Sequence, residues 1–199
     1  MINMDQITAH IGVLLQSRNR ISVAIDGRCA AGKTTLAETL RQFYQCTVIH
    51  MDDFFLRPEQ RTPERLQTPG GNIDHERFSE EVLLPLQRNC AFSYRPWRCS
   101  SQQLGAPIFV NPSPLTIVEG SYSCHPLLGK YYDFSVFLTV SPQEQLQRIS
   151  VRNNKSAEVF REKWIPMEEQ YFQAFSVKEN SDLMMDTSTD VFEELKLKR

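Results

Sequence analysis

The sequence predicts an α/β fold with a central, mostly parallel five-stranded sheet and helices on both faces. Five short apolar runs, at 21–26, 47–51, 115–118, 134–140 and 183–185, have the length of strands. Helical stretches alternate with them, and strands joined through helices pair in parallel by right-handed crossovers. A glycine loop between the first strand and the next helix is the third observation.

The composition sets the class. A chain of 199 residues fits one domain, 1–199, around one core. A net charge of −2 and a pI near 6.1 give no basic field for a polyphosphate backbone or an anionic bilayer, so neither nucleic acid nor membrane is an expected partner. Five cysteines form no CxxC pair, and their odd number argues against a closed disulfide framework and for a reducing cytoplasm. The opening segment carries Asp5 and no basic leader, and Ile2, Ile7, Ile11, Leu14 and Leu15 recur at helical spacing. It reads as an amphipathic helix, not a signal peptide. No run reaches the ~18 apolar residues of a membrane span. An oligomer is not indicated.

The first strand, ISVAID over 21–26, runs into the glycine loop, and a helix follows over 33–44. TVIHM at 47–51 is the second strand. Between 57 and 114 the alternation lapses, and eight of the eleven prolines fall there with the Gly70-Gly71 pair. Long insertions in compact domains are usually functional, so 57–114 reads as a substrate-binding insertion. A helix is expected over 76–88, with Pro85 kinking or shortening its last turn. The region 148–165 reads as a lid, and the charged tail at 192–199 as a helix or frayed end.

The loop Gly27-Arg28-Cys29-Ala30-Ala31-Gly32-Lys33-Thr34 matches GxxxxGK[ST] after a strand and before a helix, the context that makes the motif specific. It predicts a three-layer P-loop NTPase fold and an ATP site over these eight residues and Thr35, which packs or caps. Backbone N–H groups of such a loop converge on phosphates, and the following helix presents its positive end. Lys33 would place a cation on the β- and γ-phosphates, and the Thr34 hydroxyl is a hard ligand for Mg²⁺.

A P-loop alone does not separate a kinase from a switch. Asp52, just past the second strand, is placed to accept a proton from an attacking hydroxyl, since ligands of open α/β sheets bind beyond the strands' carboxyl ends. Its alternative is a turn cap; Asp53 would orient metal-bound water. Glu119 ends the run 115–118 before Gly120, the place of an acidic residue in the Mg²⁺ shell, or else caps the strand. Arg148 and Arg152 lie four apart on one helix face and would cover the transferring phosphate, with Lys155 and Arg161 weaker candidates. Together these predict a phosphotransferase using Mg-ATP on a small-molecule hydroxyl. The other class is a P-loop ATP-binding switch with no acceptor.

The motifs DGRCAAGKTT, HMDDFF, GGNIDHERF, VEGSYS and FLTV, the arginine pair, and Trp164-Ile-Pro-Met-Glu168 resemble in order those of uridine kinases and nicotinamide riboside kinases. The resemblance spans 21–175. It implies that Asp52 is the base acting on a ribose 5′-hydroxyl and that Asp74 and His75 bind the nucleoside, although Asn72-Ile-Asp74 reads equally as an Asx cap. It also points to Tyr94 beside a base pocket, and His125 either faces the substrate or is structural. Arg152 is followed by Asn153 and Asn154 where the family carries an aspartate and a further arginine. Nicotinamide riboside, pantothenate or another alcohol therefore stays open as acceptor beside uridine or cytidine.

Overall fold

In the computed structural model, residues 4–152 and 157–189 are described. Ile2, Asn153, Asn154, Lys155 and the tail at 192–199 lie outside them. Strands β1 (Ile21–Gly27), β2 (Thr47–His50), β7 (Leu115–Glu119), β8 (Phe134–Thr139) and β9 (Leu183–Asp186) form one parallel sheet in the order β2-β7-β1-β8-β9. These are the five predicted strands, and every pairing among them is parallel. The order reverses around β1, where loops diverge and a crevice opens at the carboxyl ends.

Register decides what meets in that crevice. Ile25 and His50 both pair with Glu119, and Gly27 pairs with Leu138. The ends of β1, β2 and β7 therefore come level, bringing the glycine loop, Asp52 and Glu119 to one edge.

The strands are apolar almost throughout because both faces are covered. On one side Ile25, Ile117, Val136 and Leu138 pack with α1 (Met4–Ser17) and α2 (Lys33–Tyr44). Ile7 and Ile11, four apart and fully buried, dock α1. Burying such side chains contributes roughly 1.5–3 kcal/mol each. On the other side Ile49, Val118 and Phe137 pack with Phe54, Phe78, Tyr171 and Phe172.

The stretch 57–114 contains more order than the sequence suggested. It holds α3 (Pro63–Gln67) and a helical run formed by α4 (His75–Phe78), a π turn at Ser79–Leu83 and α5 (Leu84–Gln87). A nested hairpin follows, in which β3 (Phe92–Tyr94) pairs with β6 (Ile108–Val110) and β4 (Trp97–Arg98) with β5 (Gln103–Leu104). Two- and three-residue strands broken by prolines carry too little alternation to be read from sequence.

Pro85 acts one turn earlier than expected. Its ring lacks a donor and crowds the carbonyl four residues back. The chain widens into the π turn, where the Leu84 N–H donates to Ser79 O. After α6 (Pro142–Arg152) and α7 (Ala157–Val159) the same device recurs: a π turn at Phe160–Trp164 precedes Pro166 in α8 (Ile165–Phe175), with the Ile165 N–H on Phe160 O.

Asp26 ties the crevice to the sheet. Fully buried, it accepts the N–H groups of Gly27 (2.7 Å), Tyr122 (3.1 Å) and Cys124 (2.8 Å) and the Tyr171 hydroxyl (2.8 Å). Burial pushes its carboxyl upward, and the hydrogen bonds from Cys124, Gly27 and Tyr171 oppose the shift. Asp26→Ala would leave four donors without an acceptor, a loss on the order of 3 kcal/mol or more. Chemical denaturation should show it as a lower midpoint, and a midpoint within error of wild type would refute this role.

Candidate active site

Backbone geometry builds the phosphate loop. Gly27 has φ +126°, and a Cβ there would lie 2.0 Å from Leu138 O, so only glycine lets the loop leave β1 this close to β8. Ala30 (φ 59°) and Gly32 (φ 88°) are left-handed on either side of Ala31. Such alternation turns successive N–H groups inward as an anion nest. No side chain caps α2, so its first amides face the same space. Lys33 is buried, with Nζ 2.7 Å from Gly27 O, 2.9 Å from Arg28 O and 3.2 Å from Ser121 Oγ.

Across the crevice, the Thr34 hydroxyl donates to Glu119 Oε1 at 3.2 Å. Glu119 also lies 2.5 Å from His50 Nδ1, and this contact raises the imidazole's proton affinity. Asp52 stands in the 3-10 turn Met51–Phe54 beside Gly120 (φ +136°), where an added Cβ would come within 2.8 Å of Met51 Cβ and 3.5 Å of Asp52 Oδ1. Asp52 is exposed to the open space between the cavity walls. Desolvation by those walls raises its carboxyl to about 6 against the lowering effect of Lys33, with Glu119 and Glu168 adding to the rise.

The loop and these carboxylates line a cavity of about 510 Å³. From the sequence-predicted set it takes Cys29, Ala30, Gly32, Lys33, Thr34, Asp52, Glu119 and Arg152. Gly27 and Ala31 shape the loop from behind, Thr35 lies exposed on α2, and Arg28 points outward to Glu169, Nε to Oε1 at 2.7 Å.

Other expected residues are committed elsewhere. Arg148 does not cover the crevice: its guanidinium donates to Thr187 O (2.6 Å) and Ala30 O (3.3 Å) and pairs with Glu144 (2.8 Å), clamping the loop's outer side to the segment after β9. Asp74 is the Asx cap, accepting the Arg77 N–H at 3.1 Å and Gln60 Nε2 at 2.9 Å. His75 and His125 stack at 5.6 Å, and His125 stacks on Tyr171 at 5.6 Å. His125 accepts the Leu127 N–H, contacts Pro69 O and does not line the cavity. Tyr94 packs on Phe54 and donates to Asp53 at 3.2 Å, which also turns Asp53 away from the cavity. Arg161 lies exposed beside Glu162.

Several lining residues were missed: Asn72, Arg61, Tyr122, Ser121, Lys163 and Glu168. Asn72 is buried; its amide hydrogen-bonds the Tyr122 hydroxyl, yet its Oδ1 has no partner. Tyr122 is held at φ 78°, an uncommon backbone state for an aromatic residue and one that gathers at functional sites. The NID and GSYS segments held the signal, but only the folded chain shows which members face the cavity.

The sheet order, nest and crevice together define the three-layer P-loop NTPase fold. A solved protein of Bacillus stearothermophilus described as a possible uridine kinase is similar to this chain with TM-score 0.65 at 19% identity, over 91% of this chain and 100% of its own. A Saccharomyces cerevisiae candidate P-loop kinase with a circular permutation gives TM-score 0.70 at 11% identity, over 94% and 100%. No family model matches the chain. Among the described residues no helix is long and apolar enough to cross a membrane.

In the ligand-free protein the Asp52 carboxyl should titrate near pH 6, and Lys33→Ala should move its midpoint higher by removing the cation. Carboxyl-carbon NMR titration reads both; an Asp52 midpoint near pH 4 would refute the assigned environment.

Proposed function

We propose that this chain is a small-molecule kinase that transfers the γ-phosphate of Mg-ATP to a metabolite hydroxyl, the ribose 5′-hydroxyl of a uridine- or cytidine-type nucleoside being the acceptor the sequence resemblance favours. One observation carries the reading: a single cavity is lined by the P-loop with Lys33, the Thr34 and Glu119 pair, and a carboxylate raised to about 6. A base with that affinity is ionised at neutral pH and still takes a proton readily.

Each residue has a role. The loop amides and Lys33 hold the phosphates. Thr34 and Glu119, hard oxygens 3.2 Å apart, fit Mg²⁺, which takes one or two protein ligands and leaves the rest to phosphate and water. When bound, that ion would neutralise charge on the transferring group. Asp52 accepts the proton of the attacking hydroxyl, and Arg152 and Lys163 close the cavity from the 148–165 side as its lid. On the acceptor side, Phe55, Leu66 and Tyr122 offer apolar walls and Asn72 Oδ1 an unpaired acceptor for a substrate O–H or N–H. That side draws partly on the insertion at 57–114. The five free cysteines support a reducing compartment such as the cytoplasm.

ADP release should be measured with Mg-ATP and uridine, cytidine, nicotinamide riboside, pantothenate or no acceptor. Stimulation by one acceptor is expected, and release indifferent to all of them would favour an ATP-driven switch. With the stimulating acceptor, Asp52→Asn should lower kcat by ~10²-fold or more with ATP affinity kept; an unchanged kcat removes Asp52 as base. Asn72→Leu should raise the acceptor's KM by about tenfold and leave that of ATP alone.

A further inference from the structure

Glu168 is hydrogen-bonded to the phosphate loop. Its Oε2 accepts the backbone N–H of Cys29 at 2.9 Å, its Oε1 accepts the Ser121 hydroxyl at 2.6 Å, and the residue is only 6% exposed. Lys33 Nζ reaches the same Ser121 oxygen at 3.2 Å, so cation and carboxylate meet on one hydroxyl. On the other side Glu168 lies within electrostatic reach of Asp52. A transferable phosphoryl group must touch Lys33 and stand in line with the hydroxyl that Asp52 deprotonates. An anion flanked by these two residues and a loop amide sits at that point. Inner phosphates belong to the uncapped amides at the start of α2, which Glu168 leaves free.

Resting on the nucleotide reading of the loop, we infer that Glu168 is a nucleotide-specificity residue: the Cys29 amide and Ser121 hydroxyl bind either its carboxylate or the terminal phosphate of a nucleoside triphosphate. A triphosphate must displace the carboxylate; a diphosphate need not. The fold permits this exchange without undocking α8. Glu169, next in the chain, holds the Arg28 guanidinium through both oxygens at 2.7 and 3.1 Å, and Arg28 also donates to Val140 O. That pair anchors the helix to the loop while the neighbouring side chain swings out. After transfer the carboxylate returns to the amide with the diphosphate still bound, so the exchange lowers affinity for the triphosphate and leaves that for the diphosphate unchanged.

Titration calorimetry on the full chain with Mg-ATP and Mg-ADP tests this, using wild type, Glu168→Gln and Glu168→Ala. Both variants should bind Mg-ATP about tenfold more tightly, with Mg-ADP affinity within about twofold of wild type, because only the triphosphate competes with the carboxylate. A merely structural glutamate would shift both nucleotides together. Equal shifts, no shift, or weaker Mg-ATP binding would overturn the inference while leaving the kinase reading in place. A wild-type chain that binds neither nucleotide would overturn the nucleotide reading and this inference with it. Circular dichroism establishes that a variant is folded, and either folded variant decides the question.

Discussion

The buried carboxylate of Asp26 is the constraint on which the crevice depends. Removing a carboxylate from water is costly, and four donors from three separate segments offset that cost. Each donor fixes something else. Gly27 starts the phosphate loop, and the Tyr122 and Cys124 amides hold the turn after β7 in the strained form that turns Ser121 and Tyr122 to the cavity. Tyr171 lies three residues after Glu168 on α8, so one hydrogen bond at Tyr171 helps fix the helix face that carries Glu168 to the loop.

Opposed charge organises the space above this anchor. Asp52, Glu119 and Glu168 face one cavity with Lys33, Arg152 and Lys163, and His50 stands behind Glu119. Desolvation among the crevice walls lifts Asp52, with Glu119 and Glu168 adding to the rise, although Lys33 pulls it down. Added phosphates would meet Lys33 and the loop amides on one side and repulsion from the carboxylates on the other, so the site is poised to exchange one anion for another.

Two prolines shape their helices in the same way, and one of them also shapes the cavity wall. Pro85 and Pro166 each follow a π turn that absorbs the missing donor, and the second of these turns contributes Phe160, Lys163 and Trp164 to the cavity. Lys163 lies over the Trp164 ring at 4.7 Å, which holds a cation at the cavity's edge. A wide turn ahead of a proline thus serves both helix continuity and the placement of a charged side chain.

The sequence by itself determined the parallel sheet, the loop, and the carboxylates just past strand ends, because these depend on local apolar runs, glycine spacing and the direction of a strand's carboxyl end. Lys33, Thr34, Asp52 and Glu119 were legible for that reason. Only the tertiary structure decided which of the remaining polar residues face the cavity. Arg148 reaches Thr187 across 39 positions, Asp26 reaches Tyr171 across 145, and Glu168 reaches Cys29 across 139. A motif such as Asn72-Ile-Asp74 presents neighbouring side chains in different directions, so Asp74 caps a helix while Asn72 lines the cavity. Long-range hydrogen bonds and the direction of each side chain are set by packing between segments, and no local pattern in the chain encodes them.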